Sequence, residues 1–184
     1  WPLEMLYRLA WRIRRSLYAL GLRPSQAVNA TVIVVGNVVA GGGGKTPLTI
    51  ALVQHLKQQG YKVGVVSRGY GRTHFGVQMV QAHSSPEQVG DEPLLIFNRC
   101  QVPVAVGAKR VEAARHLLHQ HPEVNVLVCD DGLQHWALKR DIEICVMDSM
   151  GIGNGHMLPA GPLREPWPRQ VDLSELRPGQ GVWW

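Results

Sequence analysis

Thr31-Val-Ile-Val-Val-Gly-Asn-Val-Val-Ala-Gly-Gly-Gly-Gly-Lys-Thr-Pro47 is the stretch whose reading decides the fold. Thr31 to Val35 is a β-branched run with the composition of a buried parallel strand. Four glycines, Gly41, Gly42, Gly43 and Gly44, then precede Lys45, Thr46 and Pro47. Beyond them, Leu48, Ile50, Ala51, Leu52, Val53 and Leu56 supply the apolar positions of a helix. A strand, a glycine loop, Lys-Thr and a helix make a phosphate cradle. Glycines let backbone N–H groups close on anionic oxygens with no Cβ in the way, and the helix N-terminus adds partial positive charge. Lys45 is placed to reach the outer phosphates of ATP, and the Thr46 hydroxyl to ligate Mg²⁺. The spacing departs from G-x-x-x-x-G-K-[ST]: position 39 is Val39, and Gly36 comes three residues too early. Four glycines are also linker composition. Their place between a buried-type strand and a helix headed by Lys-Thr favours the cradle.

Bulk properties set the frame around this stretch. With 184 residues, 45% hydrophobic and 18% charged, the chain has the composition of a globular α/β protein and excludes a disordered one. No run of about 18 apolar residues is present, so no conventional membrane span is expected. Cys100, Cys129 and Cys145 stand singly, without metal-ligand spacing, and suit a reducing cytosol. Of the net charge of +5, residues 1–23 carry +4. The basicity belongs to one segment, which argues against a nucleic-acid partner.

That segment, Trp1 to Leu20, reads as an amphipathic helix. Leu3, Leu6, Ala10, Ile13, Leu17 and Leu20 form one stripe. Arg8, Arg12 and Arg15 lie on another face, and Trp1, Tyr7, Trp11 and Tyr18 border the apolar side. Arginine opposite leucine with flanking aromatics is the pattern of a helix lying in a membrane interface. The alternative is a helix docked on the domain's own core.

Further along, Tyr61 to Ser67 is expected as the second strand, with Gly60 ending the helix before it. Arg68-Gly-Tyr-Gly-Arg72 follows at the edge where open parallel sheets bind ligands, so Arg68 and Arg72 are candidates to hold phosphate. Val77 to Gln81 reads as an extra strand; His74, His83 and Pro86 fall in polar loops and receive no role. Val89-Gly-Asp-Glu-Pro93 opens a helix, Leu94 to Cys100. Asp91 and Glu92 suit a helix N-terminus, and equally suit a base or metal partner facing the nucleotide. A strand is expected at Val102 to Val106, a helix from Gly107 to His121. The histidines His116, His119 and His121 complement that helix's dipole. Val124 to Asp131 is an apolar strand ending in acids, as a Mg²⁺-supporting carboxylate requires, and either Asp130 or Asp131 fills that role. Asp141 to Asp148 is one more strand, followed by a Gly/Pro-rich loop, Gly151 to Glu165, long enough to be functional.

Five segments in this order resemble the tetraacyldisaccharide 4'-kinase family of lipid A biosynthesis: Val35-Gly-Asn37 with Gly41 to Pro47, Ser67-Arg-Gly-Tyr-Gly-Arg72, Gly90-Asp-Glu-Pro93, Asp130-Asp-Gly-Leu-Gln-His135, and Leu158-Pro-Ala-Gly-Pro-Leu-Arg-Glu-Pro166. The resemblance covers about residues 1–167 and includes the basic aromatic N-terminal helix. It implies a P-loop NTPase-like, mostly parallel sheet flanked by helices, and an enzyme on the cytoplasmic face of the bacterial inner membrane. The implied reaction moves the ATP γ-phosphoryl group to the 4'-hydroxyl of an acylated glucosamine disaccharide 1-phosphate. By position, Asp91 resembles the base, Asp130 and Asp131 the Walker B acids, and Lys45 and Thr46 the phosphate and Mg²⁺ contacts. Glu92 and Glu165 resemble pocket acids. The family loop usually has Thr where this chain has Gly43. The expected division is a membrane-interface helix over 1–23, a kinase domain over 24–167 and an atypical tail over 168–184. A second domain is expected to be missing, making this a C-terminally shortened member. The rival expectations are a regulatory P-loop GTPase or ATPase, against which the lack of Asn-Lys-x-Asp counts for the GTPase form, and a non-catalytic nucleotide-binding protein at the membrane surface.

Overall fold

A computed structural model describes residues 1–41, 44–73 and 75–168. Gly42 and Gly43 of the expected cradle, and residues 169–184 of the expected tail, lie outside the described residues.

The strands are β1 (Thr31–Gly36), β2 (Val63–Ser67), β3 (Gln78–Met79), β4 (Val104–Val106), β5 (Val126–Asp130) and β6 (Ile142–Cys145). They form one sheet in the order β3-β4-β2-β5-β1-β6. All neighbours run parallel except the β3–β4 pair, which is antiparallel. The helices are α1 (Pro2–Ala19), α2 (Lys45–Gln58), α3 (Pro86–Val89), α4 (Asp91–Cys100) and α5 (Arg110–Gln120). The α/β architecture and the mostly parallel sheet match expectation. Pro86, read from sequence as loop, instead begins the short helix α3. Ser85 and Gln88 close a capping box around it, a local signal of the kind that specifies a helix start.

Strand alternation sorts the core into two layers. Ile33 and Val35 of β1, Val63 and Val65 of β2, and Val126 and Val128 of β5 pack with Val53 of α2 and Ile96 and Cys100 of α4. Val32 and Val34, Val66, and Leu127 and Cys129 face the other way, onto Val111, Ala114 and Leu117 of α5. The β-branched strands are thus buried on both faces, as a parallel sheet covered by helices requires. The same parity puts Ser67 and Asp130, the last residues of β2 and β5, on the α2 side.

A third, smaller core joins Val38, Met157 and Leu163, with Tyr7 and Trp11 of α1 packed against it. α1 therefore docks through its aromatic side, while Leu3, Leu6 and Ile13 of the expected stripe stay 65%, 62% and 54% exposed. The helix docks on the domain as the second reading of the sequence has it, and keeps Leu3, Leu6, Leu9 and Ile13 exposed. No helix among the described residues is long and apolar enough to cross a membrane.

Candidate active site at the carboxyl edge of the sheet

The site forms where β1, β2 and β5 end. β1 leads through Asn37 into the glycine loop, and Gly44 takes up a left-handed conformation (φ 73°) at the N-cap of α2. That turn suits glycine and aims the first N–H groups of α2 outward. Lys45 is buried, and its Nζ donates to the Gly41 carbonyl at 3.0 Å. The same Nζ stands 3.8 Å from Asp131 Oδ1. Thr46 is half-buried and Pro47 exposed in the first turn of α2.

The two adjacent acids occupy different surroundings. Asp130 is 1% exposed and follows strand parity to the α2 side. Thr49 Oγ1 donates to its Oδ1 at 3.2 Å, and Ser67 Oγ to its Oδ2 at 3.3 Å. Burial, followed by the negative charge of Glu92 and a smaller push from Asp131, raises its carboxyl to about 6; the Thr49 bond and Arg110 oppose this. Asp131 has left the strand, with φ 48°. Its carboxylate turns to the glycine loop and receives Arg164 Nη1 at 3.0 and 3.3 Å on its two oxygens. Lys45, Asp131 and Arg164 thus form a chain of alternating charge beside the buried Asp130.

Asp91 and Glu92 begin α4 and are both exposed. Their place is set by two glycines in contact. Gly90 has φ 92°, and a Cβ on it would stand 2.9 Å from the Tyr70 carbonyl and 3.1 Å from Gly69 Cα. The Arg68–Arg72 turn therefore rests directly on the start of α4, which brings Glu92 within electrostatic reach of Asp130. Arg68 is exposed, whereas Arg72 is partly buried, its Nη2 donating to the Gly76 carbonyl at 2.6 Å. Burial and the nearby Arg110 hold the Arg72 guanidinium below its ordinary value. Arg110 Nη1 donates to Gly107 O at 2.7 Å, and its Nη2 to Asp130 O at 3.5 Å. Arg72 Nη1 and Arg110 Nε are buried without a hydrogen-bond partner among the described residues. Such orphaned donors are costly unless an anion meets them. His135 lies in the same basic surroundings; burial, then Arg110, Arg68 and Arg14, bring it down to about 3, so it is neutral at physiological pH. Glu165 is buried, accepting Gln134 Nε2 at 3.0 Å.

The structure thus brings together Gly41, Gly44, Lys45, Asp130 and Asp131, with Glu92 and Asp91 at the adjacent helix start and Arg68 and Arg72 beneath them. Sequence reasoning missed Thr49, Ser67, Arg110, Gln134 and Arg164. Thr49 lies one helical turn after Lys45, and Ser67 shares the strand parity of Asp130; either spacing carried a signal. Arg164 sits in an irregular loop where no periodicity applies.

The arrangement suits a nucleotide with Mg²⁺. Backbone donors, a lysine and orphaned guanidinium groups match phosphate oxygens. No group of three or more His, Cys, Asp or Glu suited to a metal occurs among the described residues. Mg²⁺ fits one or two carboxylates together with substrate phosphates; Asp130, Asp131 and the Thr46 hydroxyl are the candidates to hold it.

The family described as tetraacyldisaccharide-1-P 4'-kinase matches residues 1–176. A tetraacyldisaccharide 4'-kinase of Acidovorax ebreus is 57% identical, covering 99% of this chain and 55% of that protein. One from Idiomarina loihiensis is 52% identical over 90% of this chain and 51% of its own length. Among solved structures, LpxK from Aquifex aeolicus, crystallised with ATP, superposes with a TM-score of 0.81 at 33% identity, covering 90% of this chain and 53% of that one. The chain spans about half the length of these relatives.

Proposed function

The chain belongs to the tetraacyldisaccharide 4'-kinase family, and on that premise we propose that it takes part in moving the γ-phosphoryl group of ATP to the 4'-hydroxyl of an acylated glucosamine disaccharide 1-phosphate. One observation carries this reading. The Lys45 ammonium lies 3.8 Å from Asp131 at the glycine loop, with the buried Asp130 in the same carboxyl-edge cluster.

In this reading the backbone of Gly41 to Gly44 and the N-terminus of α2 cradle the phosphates. Lys45 leaves the Gly41 carbonyl to neutralise the outer ones, and Arg164 competes for Asp131 until the nucleotide arrives. Mg²⁺ would be held by Asp130, Asp131 and the Thr46 hydroxyl, and would supply neutralisation of phosphate charge. Asp91 accepts the proton of the sugar hydroxyl as that oxygen attacks phosphorus and the bond to ADP breaks. Burial first, and then the negative charge of Glu92, raise Asp130, so a bound cation would relieve a charge that the site otherwise holds at a cost. Arg68 and Arg72, with Arg110, are the anion-binding side of the acceptor pocket. Glu165 supports the site through Gln134. Residues 24–167 then form the nucleotide-binding domain, and 1–23 the segment that holds it to a membrane surface.

The membrane reading rests on charge and exposure. Leu3, Leu6, Leu9 and Ile13 are exposed together on a helix that also carries Arg8, Arg12, Arg14 and Arg15. An anionic bilayer matches both features. The side that supplies ATP is the cytoplasmic one, so the face proposed is that of the inner membrane.

The deciding experiment incubates the protein with γ-labelled ATP and the lipid disaccharide 1-phosphate in mixed micelles. Label in the lipid supports the kinase. ATP bound or hydrolysed with no label in the lipid would replace it with a nucleotide-binding protein at the membrane surface.

A further inference from the structure

We propose that α1 is a positioning element for the Asp131–Arg164 pair, so that seating the helix on a lipid surface aligns the phosphate end of the site. The residues from 131 to 141 and from 146 to 168 contain no helix or strand among those described. They nevertheless present Asp131, Gln134 and Arg164 to the glycine loop. Isolated bridges, Gln26 with Leu138 and Val39 with Leu163, tie these two loops to the segments flanking β1, and α1 holds both of them by their backbones as well.

Tyr7 Oη donates to the Arg164 carbonyl at 2.9 Å, across 157 residues of sequence. The guanidinium of that same Arg164 grips Asp131. Arg14 Nη2 donates to the Gln134 carbonyl at 3.0 Å, and the Gln134 amide reaches the Asn37 carbonyl at 3.1 Å, just before the glycine loop. Next to it, the Trp136 ring meets Trp11 and Tyr18 edge-on, each at 5.8 Å between centroids. Glu4 fixes the register. It is the buried residue of α1, and its carboxylate accepts the Met157 N–H at 3.0 Å. Finally, Tyr7 and Trp11 wall the small core of Val38, Met157 and Leu163, and the Val38 carbonyl takes the Arg164 N–H at 2.7 Å. The docked face of α1 therefore touches the approach to the glycine loop, the loop bearing Asp131 and the loop bearing Arg164. Its opposite face is the leucine face. A force that orders the helix on a bilayer orders all three.

Only the chemical task of Asp131 rests on the kinase reading; the mechanical link does not. The test measures amide hydrogen exchange of the full chain with and without vesicles rich in anionic phospholipid, alongside Mg²⁺ dependence of ATP binding. In the wild type, vesicles are expected to slow exchange several-fold at 131–138 and 157–165. Tyr7→Phe keeps the ring in the small core and removes only the hydrogen bond. It is expected to bind vesicles as the wild type does, to lose the slowing around Arg164, and to need several-fold more Mg²⁺ for half-saturation while its affinity for ATP in a chelator is unchanged. Arg14→Gln is expected to lose the slowing around Gln134. A Leu6→Ser, Leu9→Ser double variant is expected to release the vesicles at 0.5 M salt, where the guanidinium attraction is screened, and to lose the slowing with them. Wild-type exchange in Tyr7→Phe and Arg14→Gln on vesicles overturns the proposal, as does a wild type whose loops ignore the vesicles. A wild type that binds no ATP, yet whose loops respond, retains the mechanical link and overturns the kinase reading instead.

Discussion

Asp130 and Asp131 are neighbours with opposite situations, and the difference is a matter of burial. Asp130 has a folded-state value of about 6 against an ordinary 3.8, with burial the largest cause. Its contribution to stability is therefore fully present below about pH 4 and is lost as pH rises through about 6, when a charge must be held in the interior. A shift of this size corresponds to about 2–3 kcal/mol. Asp130→Asn removes that penalty, so the ligand-free variant is expected to melt about 4–10 °C higher than the wild type at pH 8 and close to it at pH 4. Thermal melts across that range check the sign. With Mg²⁺ held at Asp130 as proposed, MgATP is expected to reverse the ranking, because a cation would relieve the buried charge; the stabilisation by MgATP should grow as pH rises past 6 in the wild type and be lost in the variant. Lys45→Ala is the companion experiment. Lys45 is the one cation of the glycine loop, and its removal should reduce ATP affinity by at least tenfold in a titration; unchanged affinity would detach the loop from the nucleotide. Both acids were legible from sequence as a strand-end pair. Which one is buried was also written there, in the alternation Val126, Val128, Asp130, but only the sheet's neighbours give that alternation a meaning. Arg164 was illegible, since an irregular loop has no period from which a direction follows.

Elements explain why the start of α4, with the proposed base Asp91, sits against the Arg68–Arg72 turn. α4 begins at Asp91 because Gly90 lets the chain reverse against the turn at Gly69 and Tyr70, with 2.9 Å left between an imagined Cβ and the Tyr70 carbonyl. Gly90→Ala is expected to cost about 1–3 kcal/mol from the left-handed backbone, and to misplace Asp91 and Glu92 as well. Its turnover should fall further than its stability does, which a melt and a rate measured together will show. Asp91→Asn leaves the helix start intact. It should lower lipid phosphorylation by about 10²–10⁴-fold with ATP binding kept, and wild-type turnover would remove Asp91 from the role of base. Element type was readable where burial on both faces gives a continuous apolar run, as in β1, β2 and β5. It failed at α3, where a four-residue helix is specified by its cap and carries too few residues to show a period. α1 was half-read. The leucine stripe was found, but a helix with aromatics along a second side has two apolar faces, and sequence does not rank them. The buried Glu4 and the docked Tyr7 and Trp11 settle which faces the domain.

At the scale of the whole molecule the charge distribution becomes a mechanism. Of the net charge of +5, +4 lies in residues 1–23, and the exposed leucines lie in the same segment. α1 is bonded to the loops at the carboxyl edge of the sheet, so the basic, leucine-bearing helix and the candidate site are adjacent. On the proposed membrane reading, a lipid acceptor in a bilayer would be presented beside the glycine loop without leaving the surface. Two forces would hold the molecule there, and they respond differently to salt. Guanidinium attraction to anionic lipid amounts to about 1 kcal/mol per residue near the surface and is screened as the Debye length falls from about 10 Å at 0.1 M to about 3 Å at 1 M. Burial of leucine is not screened. Binding to anionic vesicles should therefore fall at least tenfold between 0.1 M and 0.5 M salt and level off at a residue of hydrophobic binding. On zwitterionic vesicles only that weak, salt-insensitive part should be seen. Leu6→Ser with Leu9→Ser should remove the plateau and leave the salt-sensitive part, whereas Arg12→Gln should weaken the salt-sensitive part about fivefold and leave the plateau. Vesicle flotation at the two salt concentrations measures both, and affinity for anionic vesicles that ignores salt would separate the basic segment from the membrane.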